Sequence, residues 1–482
     1  MTDLALLDAI AQADLIQRGE VSAIELVEAA ISRIELLNPA LNAVIFTSYE
    51  DALARAASRP SGRLAGVPYL LKNLVVEQAG TPFTEGSRFL AGNISTVTSE
   101  LVRRLERAGL IVLGRTNTPE FGMSPACEPV LYGPTRNPWS TAHSTSGSSG
   151  GSAAAVASGM VPMAHGNDLG GSIRYPASAC GLFGLKPTRA RLPLGPLYGD
   201  ALSGAAVEHA LTRTVRDSAL LIDLTAGPAL GDPYPAPPLA RPLVQEVGVD
   251  PGRLRIAWSA RTAQGRHGHP DCVAAVSEAA VLLDSLGHEL VEADLPGLTP
   301  EVSAAIGTMF DAATTWIVAY WSRHLGREPR SYELEPLTWA YWQAGRRVSA
   351  AAYLQAIETL QRFTRTIAAF LTVYDAFLTP TLSAPPAPIG WLTSTPEEPY
   401  RALERGGPTV AYAGVVANVS GNPAMSVPMT WNADGLPIGV HVLGRFGDEA
   451  TLIRLAAQIE AARPWADRLP PIHAAQALPL TT

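Results

Sequence analysis

Residues 147–152 read Gly147-Ser148-Ser149-Gly150-Gly151-Ser152, and residues 167–174 read Asn167-Asp168-Leu169-Gly170-Gly171-Ser172-Ile173-Arg174. The two glycines directly before Ser172 carry no side chains, so backbone N–H groups there can turn inward and converge on one point, as a tetrahedral oxyanion requires. Upstream, Gly66-Val67-Pro68-Tyr69-Leu70-Leu71-Lys72-Asn73 ends an apolar run on a lysine. Such a lysine is expected to be partly buried, and desolvation makes an ammonium give up its proton more readily. A lone serine hydroxyl is a poor nucleophile and needs a base within hydrogen-bond reach. His165 is the nearest histidine in sequence, but it sits in an apolar, strand-like run and is expected to be structural or to act from behind the site.

Around these loops the chain alternates between two kinds of segment. Val21-Ser22-Ala23-Ile24-Glu25-Leu26 supplies an N-cap serine and a capping-box glutamate, and Leu26, Val27, Ala30, Ile31 and Ile34 share one face, which predicts a helix over residues 23–37. A second helix is expected over residues 99–108, closed by Gly109 and followed at once by Leu110-Ile111-Val112-Leu113, an all-apolar run typical of a strand buried on both faces. Residues 161–165 and 254–258 read as further strands, with a helix over 274–286. This alternation predicts an α/β fold, a sheet covered by helices on both sides. No linker-like tract forces a division, so residues 1–482 read as one domain, with the proline-rich stretch 227–251 as a surface connection inside it.

The 482-residue chain is 47% hydrophobic with 42 Gly and 40 Pro, which describes a sizeable core with many turns. A net charge of −8 gives no basic stripe, so nucleic acid is not an expected partner. No run of about 18 uncharged apolar residues occurs, so a membrane is not expected either. The first residues, Met1-Thr2-Asp3-Leu4-Ala5-Leu6-Leu7-Asp8, carry acids where a secretory leader needs a basic flank, and the expected location is the cytoplasm. Cys127, Cys180 and Cys272 are too few and too scattered for a disulfide framework or a zinc site, and no metal or cofactor is expected.

Lys72, Ser148 and Ser172, in the segments quoted, resemble the Ser-cisSer-Lys triad of the amidase signature family. The likeness extends to Gly114-Arg115-Thr116-Asn117, to Gly181-Leu182-Phe183-Gly184-Leu185-Lys186-Pro187-Thr188, and to Gly421-Asn422-Pro423-Ala424 and Gly435-Leu436-Pro437-Ile438-Gly439. It covers roughly residues 20–460, with the signature core over about 60–210 and a variable, aromatic-rich region over about 300–350. The resemblance implies a mixed central sheet sandwiched by helices and a hydrolase of amide C–N bonds. It further implies that neutral Lys72 takes a proton from Ser148, which takes one from Ser172 as Ser172 attacks the carbonyl. The 147–148 peptide would be cis, and the N–H groups of Leu169, Gly170, Gly171 and Ser172 would form the oxyanion hole. Asp168 and Arg174 flank that hole as supporting residues, and Arg174, if close, would help keep Lys72 neutral. Asn73 replaces the aspartate common after the lysine, which should ease deprotonation of Lys72, and His441 stands where glutamine is more usual.

Two rivals use the same letters. Gly147-Ser148-Ser149-Gly150-Gly151 satisfies G-x-S-x-G with Ser149 as nucleophile, but that elbow needs a buried strand before it, and residues 133–146 are polar and proline-broken. Some relatives are glutaminase subunits of a tRNA-dependent amidotransferase, yet Lys186-Pro187-Thr188 runs on into Leu192, Pro193 and Leu194, where polar groups for glutamine would stand. A stand-alone amidase, monomeric or homodimeric, is therefore expected. Phe310, Trp316, Tyr320, Trp321, Tyr332, Trp339, Tyr341 and Trp342 crowd one region, and those that line an entrance would favour apolar or aromatic small-molecule amides. Residues 65–74 and 165–168 also look like a cyclic-amide hydrolase of nylon oligomers, which brings in synthetic linear or cyclic amides and, by carbonyl geometry, carbamates of urethane type.

Overall fold

The computed structural model describes residues 4–262, 265, 267–296, 298–406 and 413–477. Met1 to Asp3, where the segment read for a leader begins, lie outside the described residues. The expected mixed α/β architecture is present as an eleven-stranded sheet with helices packed against it. From one edge to the other its strands are Val44–Thr47, Ile111–Thr116, Pro68–Lys72, Met163–Asp168, Val207–Thr212, Phe183–Lys186, Ala424–Trp431, Pro437–Gly444, Ala376–Pro380, Arg255–Trp258 and Glu289–Glu292.

Pro68–Lys72 runs parallel to both of its neighbours, Ile111–Thr116 and Met163–Asp168. All three strands are buried along their whole length, so Tyr69-Leu70-Leu71 and Ile111-Val112-Leu113 read as apolar runs and not as alternating patterns, while polar residues gather at the strands' carboxyl ends. Antiparallel pairings follow through the middle of the sheet, and parallel pairing returns at the far edge, where Arg255–Trp258 lies between Ala376–Pro380 and Glu289–Glu292. Lys72 and Asp168 are the last residues of adjacent parallel strands, so both project at the carboxyl end of the sheet, where α/β sheets place their ligands.

Two buried clusters flank the sheet. One gathers Ala23–Leu41, Gly150–Ala157 and Arg174–Cys180; the other gathers Val215–Thr225, Pro270–Ser285 and Glu449–Ala462. Gly150–Ala157 is buried on every side and contains only Gly, Ser, Ala and Val, so it can pass close to the loops around it. A Cβ at Gly151 would collide with the backbone of Asn117. Residues 133–146 hold no buried strand of the main sheet, as their polar, proline-broken sequence implies: Arg136–Asn137 and Ser140–Ser144 form a separate two-stranded sheet, half exposed and outside the main one.

Pro336–Gly345 and Ala350–Val373 both pack on Pro300–Leu325. Among the described residues Pro300–Leu325 is long and apolar enough to cross a membrane by composition alone, with Asp311 interrupting it. Its apolar side chains are in use here. Val318 and Trp321 pack with Phe83, Phe89 and Phe121, while Ile306 and Phe310 line a cavity.

Candidate active site

Lys72 is fully buried, and its Nζ lies 2.6 Å from Ser148 Oγ, 3.0 Å from Ser149 Oγ and 2.6 Å from Asn167 Oδ1. Donor bookkeeping decides what these contacts mean. Asn167 Nδ2 donates to the Leu74 carbonyl at 3.0 Å, which turns Oδ1 toward the lysine, so one N–H of Nζ goes there. Ser149 Oγ donates to the Asn167 carbonyl at 3.2 Å and must therefore accept the second N–H. A neutral amine then has one lone pair left, aimed at the Ser148 hydroxyl. Burial lowers the Lys72 pKa to about 7, with the Glu208 carboxylate the largest influence pulling the other way. The lysine is thus poised between base and acid near neutrality.

Ser148 follows the Gly147–Ser148 cis peptide bond and is fully buried. Ser172 is 9% exposed and lines a cavity of about 320 Å³ together with Gly122, Met123, Gly147, Leu169 and Phe310. Ser149 is absent from that lining, and its hydroxyl is tied beneath the cavity to Lys72 and Asn167. Substrate reaching the cavity meets Ser172, which counts against the elbow reading.

Of the four N–H groups expected to face an oxyanion, one is committed elsewhere. Gly171 N–H donates to Asp168 Oδ1 at 2.7 Å. The N–H groups of Leu169, Gly170 and Ser172 have no hydrogen-bond partner among the described residues, and all three residues line the cavity. Gly171 holds φ +124°, and a Cβ there would run into the Tyr175 ring, so glycine is needed for both conformation and space.

Asp168 and Arg174 form a buried two-pronged pair, Nε to Oδ2 at 3.0 Å and Nη2 to Oδ1 at 2.9 Å. Burial pushes the Asp168 carboxyl up, but the charge and hydrogen bonds of Arg174, joined by Lys186 and Asn418, together outweigh it and hold the carboxyl well below the usual carboxylate range. The expectation that Arg174 helps to neutralise Lys72 is not met, because the agents acting on Lys72 are burial and the groups of Glu208, Cys127 and Asp168. The positive field of Arg174 falls on Lys186 and His441, both buried and both shifted down first by burial and then by this arginine. His441 Nε2 lies 2.8 Å from Arg174 Nη1, so a neutral imidazole accepts from the guanidinium. Asn73 bonds Thr84 at 2.7 Å and leaves the lysine alone.

Several contributors escaped the sequence reading. Asn167 stands in a quoted motif without a task there, and Ser149 enters the sequence reading only as the nucleophile of the rival elbow. Asn418 closes the base of the loop, its Nδ2 donating to the Asp168 carbonyl at 2.8 Å and its Oδ1 accepting from Arg174 Nη2 at 2.7 Å. Glu208, 2.7 Å from His165 Nε2, was unmarked by any motif. Among the described residues no group of three or more His, Cys, Asp or Glu side chains is placed to hold a metal ion. The three cysteines are free and buried.

The amidase family pattern matches residues 25–453. The chain is 38% identical, over 96% of both sequences, to a 6-aminohexanoate-cyclic-dimer hydrolase of Pseudomonas sp. (strain NK87). A solved structure of 6-aminohexanoate cyclic dimer hydrolase complexed with substrate superimposes with a TM-score of 0.94 at 36% identity, covering 97% of this chain and 99% of that one. A bacterial aryl acylamidase of the amidase signature enzymes follows with a TM-score of 0.85 at 26% identity, covering 95% of this chain and 97% of that one.

Proposed function

The chain belongs to the amidase signature family and hydrolyses amide C–N bonds, and from that premise we propose that it is a stand-alone serine amidase for uncharged, largely apolar small-molecule amides, linear or cyclic. The observation that carries the chemistry is the Lys72 contact set. With two N–H groups committed to Asn167 and Ser149, the free lone pair of Lys72 accepts the Ser148 proton, Ser148 accepts that of Ser172, and Ser172 Oγ bonds to the substrate carbonyl carbon. The oxyanion is received by the uncommitted N–H groups of Leu169, Gly170 and Ser172. The proton then returns through Ser148 to the leaving nitrogen, and a water retraces the route to release the acid.

Substrate class is argued from the cavity wall. Its described lining is Met, Leu, Ile, Val, Phe, Tyr, Pro, Ala, Gly and Ser, without an acid, lysine or arginine. A free α-amino or α-carboxylate group would lose its hydration there with no counter-charge in return, which argues against glutamine and so against an amidotransferase subunit. A cyclic dimer of 6-aminohexanoate, named for the relative, has no free end and suits such a wall. Aryl carbamates present the same carbonyl geometry and are a second class to try.

A panel of p-nitroanilides, aliphatic and cyclic amides, esters and aryl carbamates tests the substrate reading, with glutamine as the expected failure. Ser172→Ala is expected to abolish turnover with the circular dichroism spectrum unchanged, and a sulfonyl adduct should form on the native protein but not on this variant. Normal turnover by Ser172→Ala would end the assignment, and loss confined to Ser149→Ala would restore the elbow.

A further inference from the structure

His165 and Glu208 lie behind Lys72, away from the cavity, and neither has a place in the steps above. The side chains of all three are fully buried. His165 Nδ1 accepts the backbone N–H of Lys72 at 3.3 Å, and His165 Nε2 lies 2.7 Å from Glu208 Oε2. An imidazolium has two donors and no acceptor, so a ring that accepts at Nδ1 is neutral and carries its proton on Nε2. His165 therefore donates to the carboxylate without cancelling its charge. Glu208 Oε1 has no partner among the described residues, and no lysine or arginine there pairs with Glu208.

The other acidic groups around Lys72 are already balanced or neutral. Asp168 is paired with Arg174. Cys127 is a thiol, pushed up to about 12 by burial. Arg115, on the adjoining strand, donates to the Lys72 carbonyl at 3.4 Å. On the far side, burial pushes His209 down to about 3 and the Tyr69 hydroxyl up, so neither carries charge near neutrality. The unpaired carboxylate facing the lysine is that of Glu208.

We propose that Glu208, through His165, is a positioning residue for Lys72: the imidazole pins the end of the lysine strand, and the carboxylate supplies the fixed negative charge that keeps the lysine basic enough to accept the serine proton and return it. The inference rests on Lys72 being the base. Burial alone drives the proton off, and a lysine driven too far becomes a weak base and leaves the departing nitrogen without its proton.

The test follows the rate at which phenylmethylsulfonyl fluoride labels Ser172 as a function of pH, read by intact mass, beside kcat/KM for a p-nitroanilide. In labelling, Ser172 Oγ bonds to sulfur, fluoride leaves, and the serine proton passes through Ser148 to Lys72. The native protein is expected to show a rising limb near neutrality. Glu208→Gln, which keeps size and removes charge, should move that limb down by about one pH unit and lower the plateau for the anilide. Glu208→Asp, whose carboxylate is drawn back by one methylene, should fall between the two. An unmoved limb in Glu208→Gln overturns the inference, as does an unmoved limb in Glu208→Asp should the Gln variant fail the circular dichroism check. A native protein that takes no label, or labels without a limb, removes the Lys72–Ser172 reading and this inference with it.

Discussion

Lys72 is the residue on which the chemistry turns, and its setting predicts how the rate depends on pH. Its ordinary pKa is depressed to about 7 because the ammonium is stripped of water, so the neutral form that serves as base accumulates above that value and is lost below it. The kcat/KM for amides should therefore climb through a single group near neutrality and level off on the alkaline side, and a flat profile from acid to alkaline pH would show another group at work. Lys72→Ala should cost amides about 10²–10⁴-fold, the usual worth of general acid–base assistance. Esters should lose less, because an alkoxide departs without the full proton that an amine needs, and equal losses for the two would show the lysine to be structural. Gly171 carries a different prediction. Its φ of +124° and the Tyr175 ring against it leave no room for a methyl, so Gly171→Ala should lower stability by about 1–3 kcal/mol and disturb the N–H groups on either side of it, read together as a shifted denaturation midpoint and a fallen kcat.

Arg174 sets the scale of elements, because its guanidinium joins four of them. It bonds Asp168 at the end of one strand, His441 in another, and Gly414 and Asn418 on the helix Ala413–Ser420, from its own place at the start of Arg174–Cys180. Removing it leaves the Asp168 carboxylate buried without a cation, and Arg174→Met is expected to cost about 3–5 kcal/mol of unfolding free energy. A urea midpoint equal to that of the native protein would show that the pairing contributes nothing net. In the helix Ala23–Leu41 the sequence announced the beginning better than the end, whereas the helix read over 274–286 begins earlier, at Pro270, and ends at Ser285. Ser22 and Glu25 form both capping-box bonds of the helix Ala23–Leu41, as their spacing required. The reading stopped that helix before Pro39, yet it runs to Leu41, with Pro39 lacking the N–H that would bond back into the helix and Asn38 Oδ1 accepting the N–H groups of Ala43 and Val44 just past its end at 2.8 Å. The pairing of Arg174 with His441 and Asn418 lay hidden, since a hydrogen bond across more than 200 positions leaves no local periodicity to read.

Across the whole molecule, the two halves of the site were unequally legible. Lys72, Ser148, Ser172 and the loop between Asp168 and Arg174 sit in compact motifs whose glycines and serines have few other uses, and they gather at the carboxyl end of the sheet's parallel strands. Much of the cavity wall is assembled from Ser303, Ile306, Gly307, Phe310, Tyr341, Ala402, Leu403, Gly406 and Val415, brought over that end by helices whose aromatic content looks the same whether it serves packing or a ligand. Of the eight aromatics that crowd residues 310–342, Phe310 and Tyr341 line the cavity, stacked 6.3 Å apart, while Trp321 and Trp342 are buried in a separate cluster and Trp321 Nε1 donates to Glu85. Packing against the rest of the molecule, invisible in the segment itself, divides the two groups. This division predicts that Phe310→Ala separates substrates by size. Deleting the ring removes apolar contact from the wall without touching Lys72, Ser148 or Ser172, so a long or aromatic amide should lose about 10–100-fold in kcat/KM, the range for apolar contacts worth about 1–3 kcal/mol, chiefly through KM. Acetamide, too small to reach the ring, should be hydrolysed almost as before. The ratio of the two specificity constants is the measurement, and a uniform loss would mean that Phe310 supports the loop around Ser172 and not the substrate.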